Sequence, residues 1–377
     1  MKRSRWSCWP RAVALVACVL AVPAQAADAS AWPDPVDSPA QIMPLAAQSL
    51  LLGLARTPNG YVAVGAHGDI LLSADGKTWQ QAQVPTRTTL IAVTAVGSDI
   101  WAVGHDGVIV HSADNGVHWQ MQRKDPWRAP SDDAPSDPSQ GAPLLDVLFT
   151  DAQHGIAVGA YSLALRTEDG GEHWLPMTVA PRPKDDADDA VDDAAASPSD
   201  DAKGKDDKGQ WTFDQNQLQI GQEPTPHLNA IARTGSGALF IVGERGAAFR
   251  SRDSGATWQR LQLPYDGSMF GVIGFEADHV IAFGLRGHVY ESTDLGDHWS
   301  KLETGTELSL MGGAALPGDS AVIVGANGIV LTRAGTGQPL RSHTDQSAGT
   351  IAEVLPLGDG GEWLIVGEHG VSTYQPQ

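Results

Sequence analysis

The chain has 377 residues, with 45 acidic against 25 basic side chains and a formal net charge of -20. That balance excludes nucleic acid and anionic membrane surfaces as main partners, since both would be repelled. The two cysteines, Cys8 and Cys18, lie close to the start, so the body of the chain needs no disulfide framework.

Residues 1–26 read as a secretory signal. Lys2, Arg3, Arg5 and Arg11 form a basic region, Ala12 to Val22 an apolar core, and Ala24-Gln25-Ala26 a small-residue cleavage site. A minor alternative is lipoprotein anchoring through Cys18, after Leu15-Val16-Ala17. Cleavage after Ala26 removes four basic residues and no acidic one, moving the net charge from -20 to -24. The expectation is a periplasmic or secreted protein with no membrane span of its own.

From about residue 48 one phrase recurs, VGxxGxI followed by S/T-x-D-x-G-x-x-W. Its leading glycines stand at 65, 104, 159, 243, 284, 325 and 367, and four of the six intervals lie between 39 and 42 residues. A period near forty with several short strands per unit is that of a propeller blade. In each unit an apolar strand such as Leu90-Ile91-Ala92-Val93 precedes a second ending at Val-Gly, as in Trp101-Ala102-Val103-Gly104. A glycine turn, a third strand such as Val108-Ile109-Val110-His111, and a fourth beginning at the tryptophan complete it. The predicted fold is all-β: a seven-bladed β-propeller of four-stranded antiparallel blades over residues 48–377.

Two insertions interrupt the rhythm, 122–143 and 178–226, and both join a fourth strand to the next first strand. Residues 184–208 hold ten aspartates and almost nothing apolar, so this acidic stretch predicts a disordered loop. Blade seven ends near Tyr374 without a fourth strand. The expectation is that residues 27–47 supply it, closing the ring with an N-terminal strand.

Five units carry the D-x-G-x-x-W turn, the Asp-box or BNR repeat, with Asp75 and Trp79, Asp114 and Trp119, Asp169 and Trp174, Asp253 and Trp258, and Asp294 and Trp299. The Asp accepts backbone N–H groups, Gly supplies positive φ, and Trp packs between blades. His118, His173 and His298 share one turn position with Thr78 and Thr257, which marks them as turn residues rather than metal ligands. Two residues after each leading glycine stand His67, Asp106, Tyr161, Arg245, Arg286, Asn327 and His369. These turns share a face with the inter-blade connections. They are the candidate partner-binding residues, with Arg245 and Arg286 able to hold a carboxylate. His67 and His369 are neighbours through ring closure; no metal, cofactor or catalytic residue is expected.

The repeated A-V-G-x-x-G and D-x-G-x-x-W phrases resemble the photosystem II stability/assembly factor family of seven-bladed propellers. That resemblance implies a non-catalytic assembly factor with a basic patch, matched here at Arg245 and Arg286 alone. The acidic insertion and sparse basic residues depart from the photosynthetic pattern and point to a non-photosynthetic bacterial member. The resulting expectation is an exported, monomeric, non-enzymatic protein. It would bind a protein partner as an assembly or accessory factor of a membrane complex or transporter. The alternative is a glycan-active propeller, a sialidase-like hydrolase or lectin. Against it, no Arg-Ile-Pro occurs, and blade one offers only Arg56 and Arg87.

Overall fold

The second strand of every blade is apolar and buried on both sides, as in Tyr61 to Gly65 and Ile100 to Gly104. Such a strand needs a neighbour on each face, and only a closed ring of sheets provides that for all seven. The computed structural model describes residues 33–128, 139–179, 225–345, 347–358 and 361–376. It shows seven antiparallel sheets in consecutive strand order, six with four strands and the last with three. Their first strands are Leu51–Thr57, Leu90–Val96, Leu144–Phe149, Leu228–Arg233, Met269–Gly274, Leu310–Leu316 and Ile351–Leu357. Among the described residues the only helical pieces are three-residue 3-10 turns, and no helix is long and apolar enough to cross a membrane.

There is no single core. Seven apolar clusters sit one at each blade junction, from Val62, Val64 and Ile70 against Ile100, Ala102 and Val110 round to Leu51, Leu54 and Leu71 against Leu364 and Val366. The last of these closes the ring. Among the described residues the expected N-terminal strand is not there. Residues 35–48 form two 3-10 turns, Pro35–Asp37 and Ala46–Gln48, and run along the outer edge of blade one. Ala40 N donates to Val84 O at 3.0 Å, and Gln81 grips the segment through Gln41 O and Met43 N. The physical reason lies in the sequence. Pro33, Pro35, Pro39 and Pro44 carry no N–H for a ladder. The segment reaches blade seven at its end, where Ala46 packs with Leu364 and Val366 and Ala47 and Gln48 crowd Gly370. The exposed third strand there, Gly370–Tyr374, presents Ser372 where other blades bury Leu71 or Leu331. A polar, short edge tolerates water without a fourth strand.

Blade six lacks the Asp-box, and a buried ion pair ties it to blade five instead. Arg333 stands where the other blades carry the Ser or Thr that opens the turn. Its Nη1 and Nη2 reach Glu291 Oε1 and Oε2 at 2.6 and 3.0 Å, and its Nε donates to Gln338 O at 2.9 Å. His279 Nε2 lies 2.8 Å from Glu291 Oε1. Burial alone would push the Glu291 carboxyl up, but His279 and Arg333 together hold it at about 2.

Every first strand carries a bulge at the same place. The extra residues, Leu52, Ile91, Leu145, Asn229, Phe270, Met311 and Ala352, line a central cavity of about 470 Å³. The residues that follow are Gly53, Ala92, Asp146, Ala230, Gly271, Gly312 and Glu353, so two carboxylates stand where the other blades carry Gly or Ala.

The sequence-defined insertions start inside the fold. Gln122 and Arg123 belong to the fourth strand of blade two, and Val179 is buried in the junction between blades three and four. Pro226 O accepts Ser162 N and Oγ at 2.9 Å, which pins the far end of the second insertion. Residues 184–208 lie outside the described residues.

Candidate functional site

Two rings of turns end the strands. On one rim lie the D-x-G-x-x-W turns. Asp75 Oδ1 accepts Lys77 N and Thr78 N at 2.8 Å, and these bonds hold its carboxyl at about 2. Asp114 accepts His118 N at 2.9 Å and His118 Nδ1 at 2.6 Å, and sits further down still. His173 and His298 repeat that ring contact, and it raises both imidazoles. Asp253 uses the Thr257 hydroxyl at 2.6 Å. Asp169, Glu172 and His173 bring three ligand-type atoms within 4.8 Å of one another, with His173 Nδ1 already on Asp169.

The five tryptophans sit at junctions with the preceding blade. Trp79, Trp119 and Trp258 donate Nε1–H to the carbonyl of their own turn glycine. Trp174 turns instead to Gln122 Oε1 of blade two, while Gly170 O takes the indole of Trp101. These contacts are local to each junction and build a frame.

On the opposite face the second strand turns into the third. His67, Asp106, Tyr161, Arg245, Arg286 and Asn327 all occupy the left-handed region, with φ between 53° and 57°. Left-handed backbone favours Gly and Asn; a bulky residue there costs roughly 1 kcal/mol or more. What enforces it is backbone crowding. A Cβ on Gly284 would meet Ser268 O at 2.3 Å, and one on Gly287 would meet Thr306 O at 2.2 Å. With both glycines wedged against neighbouring chain, the residue between is turned outward. All are exposed except Asp106, which is half-buried and whose carbonyl accepts Asp125 N. His369 differs: its turn is a tight two-residue hairpin between Gly367 and Gly370, and its Nδ1 lies 3.3 Å from Ser347 O.

Arg245 and Arg286 thus occupy equivalent turns of consecutive blades. Between them Tyr265 stacks on His288 at 4.0 Å, and its hydroxyl reaches Leu285 O at 3.4 Å. Arg286, His288 and Lys301 line a cavity of about 400 Å³ closed by the 303–307 connection. Burial, then Lys301 and Arg286, push the His288 imidazole down, so it stays neutral beside two cations. Elsewhere Tyr161 meets the ring of His227 edge-on at 5.1 Å, and His227 faces Glu244 at 3.7 Å. Tyr265, His288 and Lys301 were missed from the sequence. Tyr265 lies in an irregular connection, and His288 and Lys301 fall at non-equivalent repeat positions.

A closed ring of seven antiparallel blades, with variable side chains at the second-to-third-strand turns on one face, defines a seven-bladed β-propeller. Residues 208–377 match the family described as photosynthesis system II assembly factor YCF48. Among curated proteins, the photosystem II assembly protein Ycf48 of Synechococcus sp. (strain JA-2-3B'a(2-13)) is 33% identical over 87 residues, 22% of each chain. That of Thermosynechococcus vestitus is 28% identical over 124 residues, 32% of this chain and 35% of the relative. The matched stretches therefore span about a fifth to a third of these relatives. In fold, the chain is similar to YCF48 bound to D1 peptide, with TM-score 0.60 and 15% identity over 89% of this chain and 96% of that one. YCF48 from Cyanidioschyzon merolae gives TM-score 0.58 and 14% identity over 90% and 99%. Over its C-terminal part the chain thus resembles that family, and its seven-bladed fold is similar to that of the solved YCF48 structures.

Proposed function

We propose that this protein is an exported, non-enzymatic binding factor that takes a protein segment on its inter-blade face during assembly or operation of a membrane complex or transporter. The observation that carries the reading is the set of six non-glycine side chains held in left-handed backbone at one turn position. Strain of that kind persists where the displayed side chain has a use. Arg245 and Arg286 supply a local positive exception on an acidic protein, suited to a carboxylate-bearing segment held by charge-assisted hydrogen bonds. One structural neighbour, YCF48, is bound to D1 peptide, which supports peptide binding by this architecture.

The test is capture from a periplasmic extract by wild type and by R245E/R286E. Exposed turn positions tolerate substitution, so the variant keeps its fold, and it loses the partners that wild type retains. Capture of the same partners at wild-type yield by the folded double variant refutes the assignment of the site.

A further inference from the structure

The central channel holds two carboxylates that no binding role uses. Asp146 Oδ1 accepts Val147 N and its Oδ2 accepts Ile231 N of blade four, both at 2.8 Å. Glu353 Oε1 accepts Val354 N at 2.8 Å, and the carboxylate also takes the N–H of Gly313 on blade six. Each therefore staples its own blade to a neighbour at the channel wall. Both residues are half-buried where they line the channel.

No cation among the described residues lining the channel faces them. Among the residues lining the channel, the seven inner strands and Thr350 contribute Asp146 and Glu353 as the titratable groups and no Lys, Arg or His. Arg56 and Arg233 stand at the far ends of their strands and are exposed. At the mouth, His227 faces Glu244, and Glu368 caps Thr350 N. Two like charges lining one channel are costly without a counter-ion.

We propose that Asp146 and Glu353 form a proton-holding pair that links the stability of the ring to pH through the neutral range. The pair keeps at least one proton at neutral pH, and losing it sets two carboxylates against each other inside the channel. Burial pushes Asp146 up to about 6 and, with the Asp146 charge adding to it, Glu353 up to about 8. A carboxyl whose folded pKa is raised holds its proton more tightly in the fold. Stability is then full below the unfolded value and is lost as pH rises through the folded one. The window runs from the ordinary carboxylate range to about pH 8.

The experiment is thermal unfolding of wild type, E353Q and D146N at intervals from pH 4 to 9. Glutamine keeps an oxygen for Gly313 N and removes the charge. The expected result is a wild-type Tm that falls across the window, an E353Q Tm equal to it at pH 4 and about 4 °C higher at pH 9, and a smaller gain for D146N that sets in at lower pH. His173 and His298 also lose their paired-state stability as pH rises, and His288 acts in the opposite direction. The difference between wild type and E353Q cancels all three. An E353Q Tm no higher than wild type at pH 9, or one displaced equally at every pH, overturns the proposal. Infrared titration of wild type gives a second reading free of any variant. A protonated-carboxyl C=O band at pH 7 that vanishes by pH 9 is expected, and its absence at pH 7 overturns the proposal.

Discussion

Replacing Arg333 with alanine strikes the tie between blades five and six. The Arg333 side chain is 1% exposed and that of Glu291 is 10% exposed, so the deletion strands a buried carboxylate with His279 as its remaining side-chain partner. Breaking one partner out of a buried pair costs about 3–5 kcal/mol. Gln338 O loses its donor as well. Spread over a ring of this size, that predicts a Tm lower by roughly 6–10 °C, read by tryptophan fluorescence or calorimetry. The pH dependence carries the sign. A depressed carboxyl contributes stability above its unfolded value that is lost as pH falls toward about 2. R333A should lose much of that acid-side dependence. An R333M/E291Q double variant, with neither charge, should recover more than half of the loss. If R333A unfolds within 2 °C of wild type, or the double variant is as unstable as the sum of the singles, the pair is not the tie described here.

Two further outcomes follow from the frame. Asp75, Asp169 and Asp253 are all held near 2 by their turn hydrogen bonds. The stability they give is present above the ordinary aspartate range and lost as pH falls through about 2; alanine at any one of them should lower Tm at pH 7 and flatten the acid limb of the unfolding profile. Deleting residues 27–47 removes the buried Val36, Ala40 and Ala46 from the edge of blade one; aggregation or a clear loss of Tm is expected, and a variant that melts with wild type would show the segment to be dispensable.

The ring itself was legible because the glycine at each second-to-third turn has no substitute where neighbouring backbone fills the place of its Cβ. Its spacing therefore survived when the Asp-box did not, in blades six and seven. The arginine turns were legible for the same reason. The channel was not. A bulge adds one residue to each first strand and exchanges the faces on which later side chains fall. Asp146 and Glu353 thus read as ordinary alternation until the register is seen. Arg333 hid differently, since it occupies the slot of the Ser or Thr before the missing Asp, and the absence of the turn was the only hint of another tie. The N-terminal segment was misread by completing a pattern, although its four prolines argued against a strand.

The wedged turns also have an evolutionary consequence. Backbone fixes the displayed residue, and its own side chain takes no part in holding it there. Each of these six slots can therefore change identity alone, with no compensating change in the junctions beneath. The surface displayed by such a ring can drift one position at a time while the frame stays fixed. Two propellers with little sequence in common can then share a scaffold and present quite different faces.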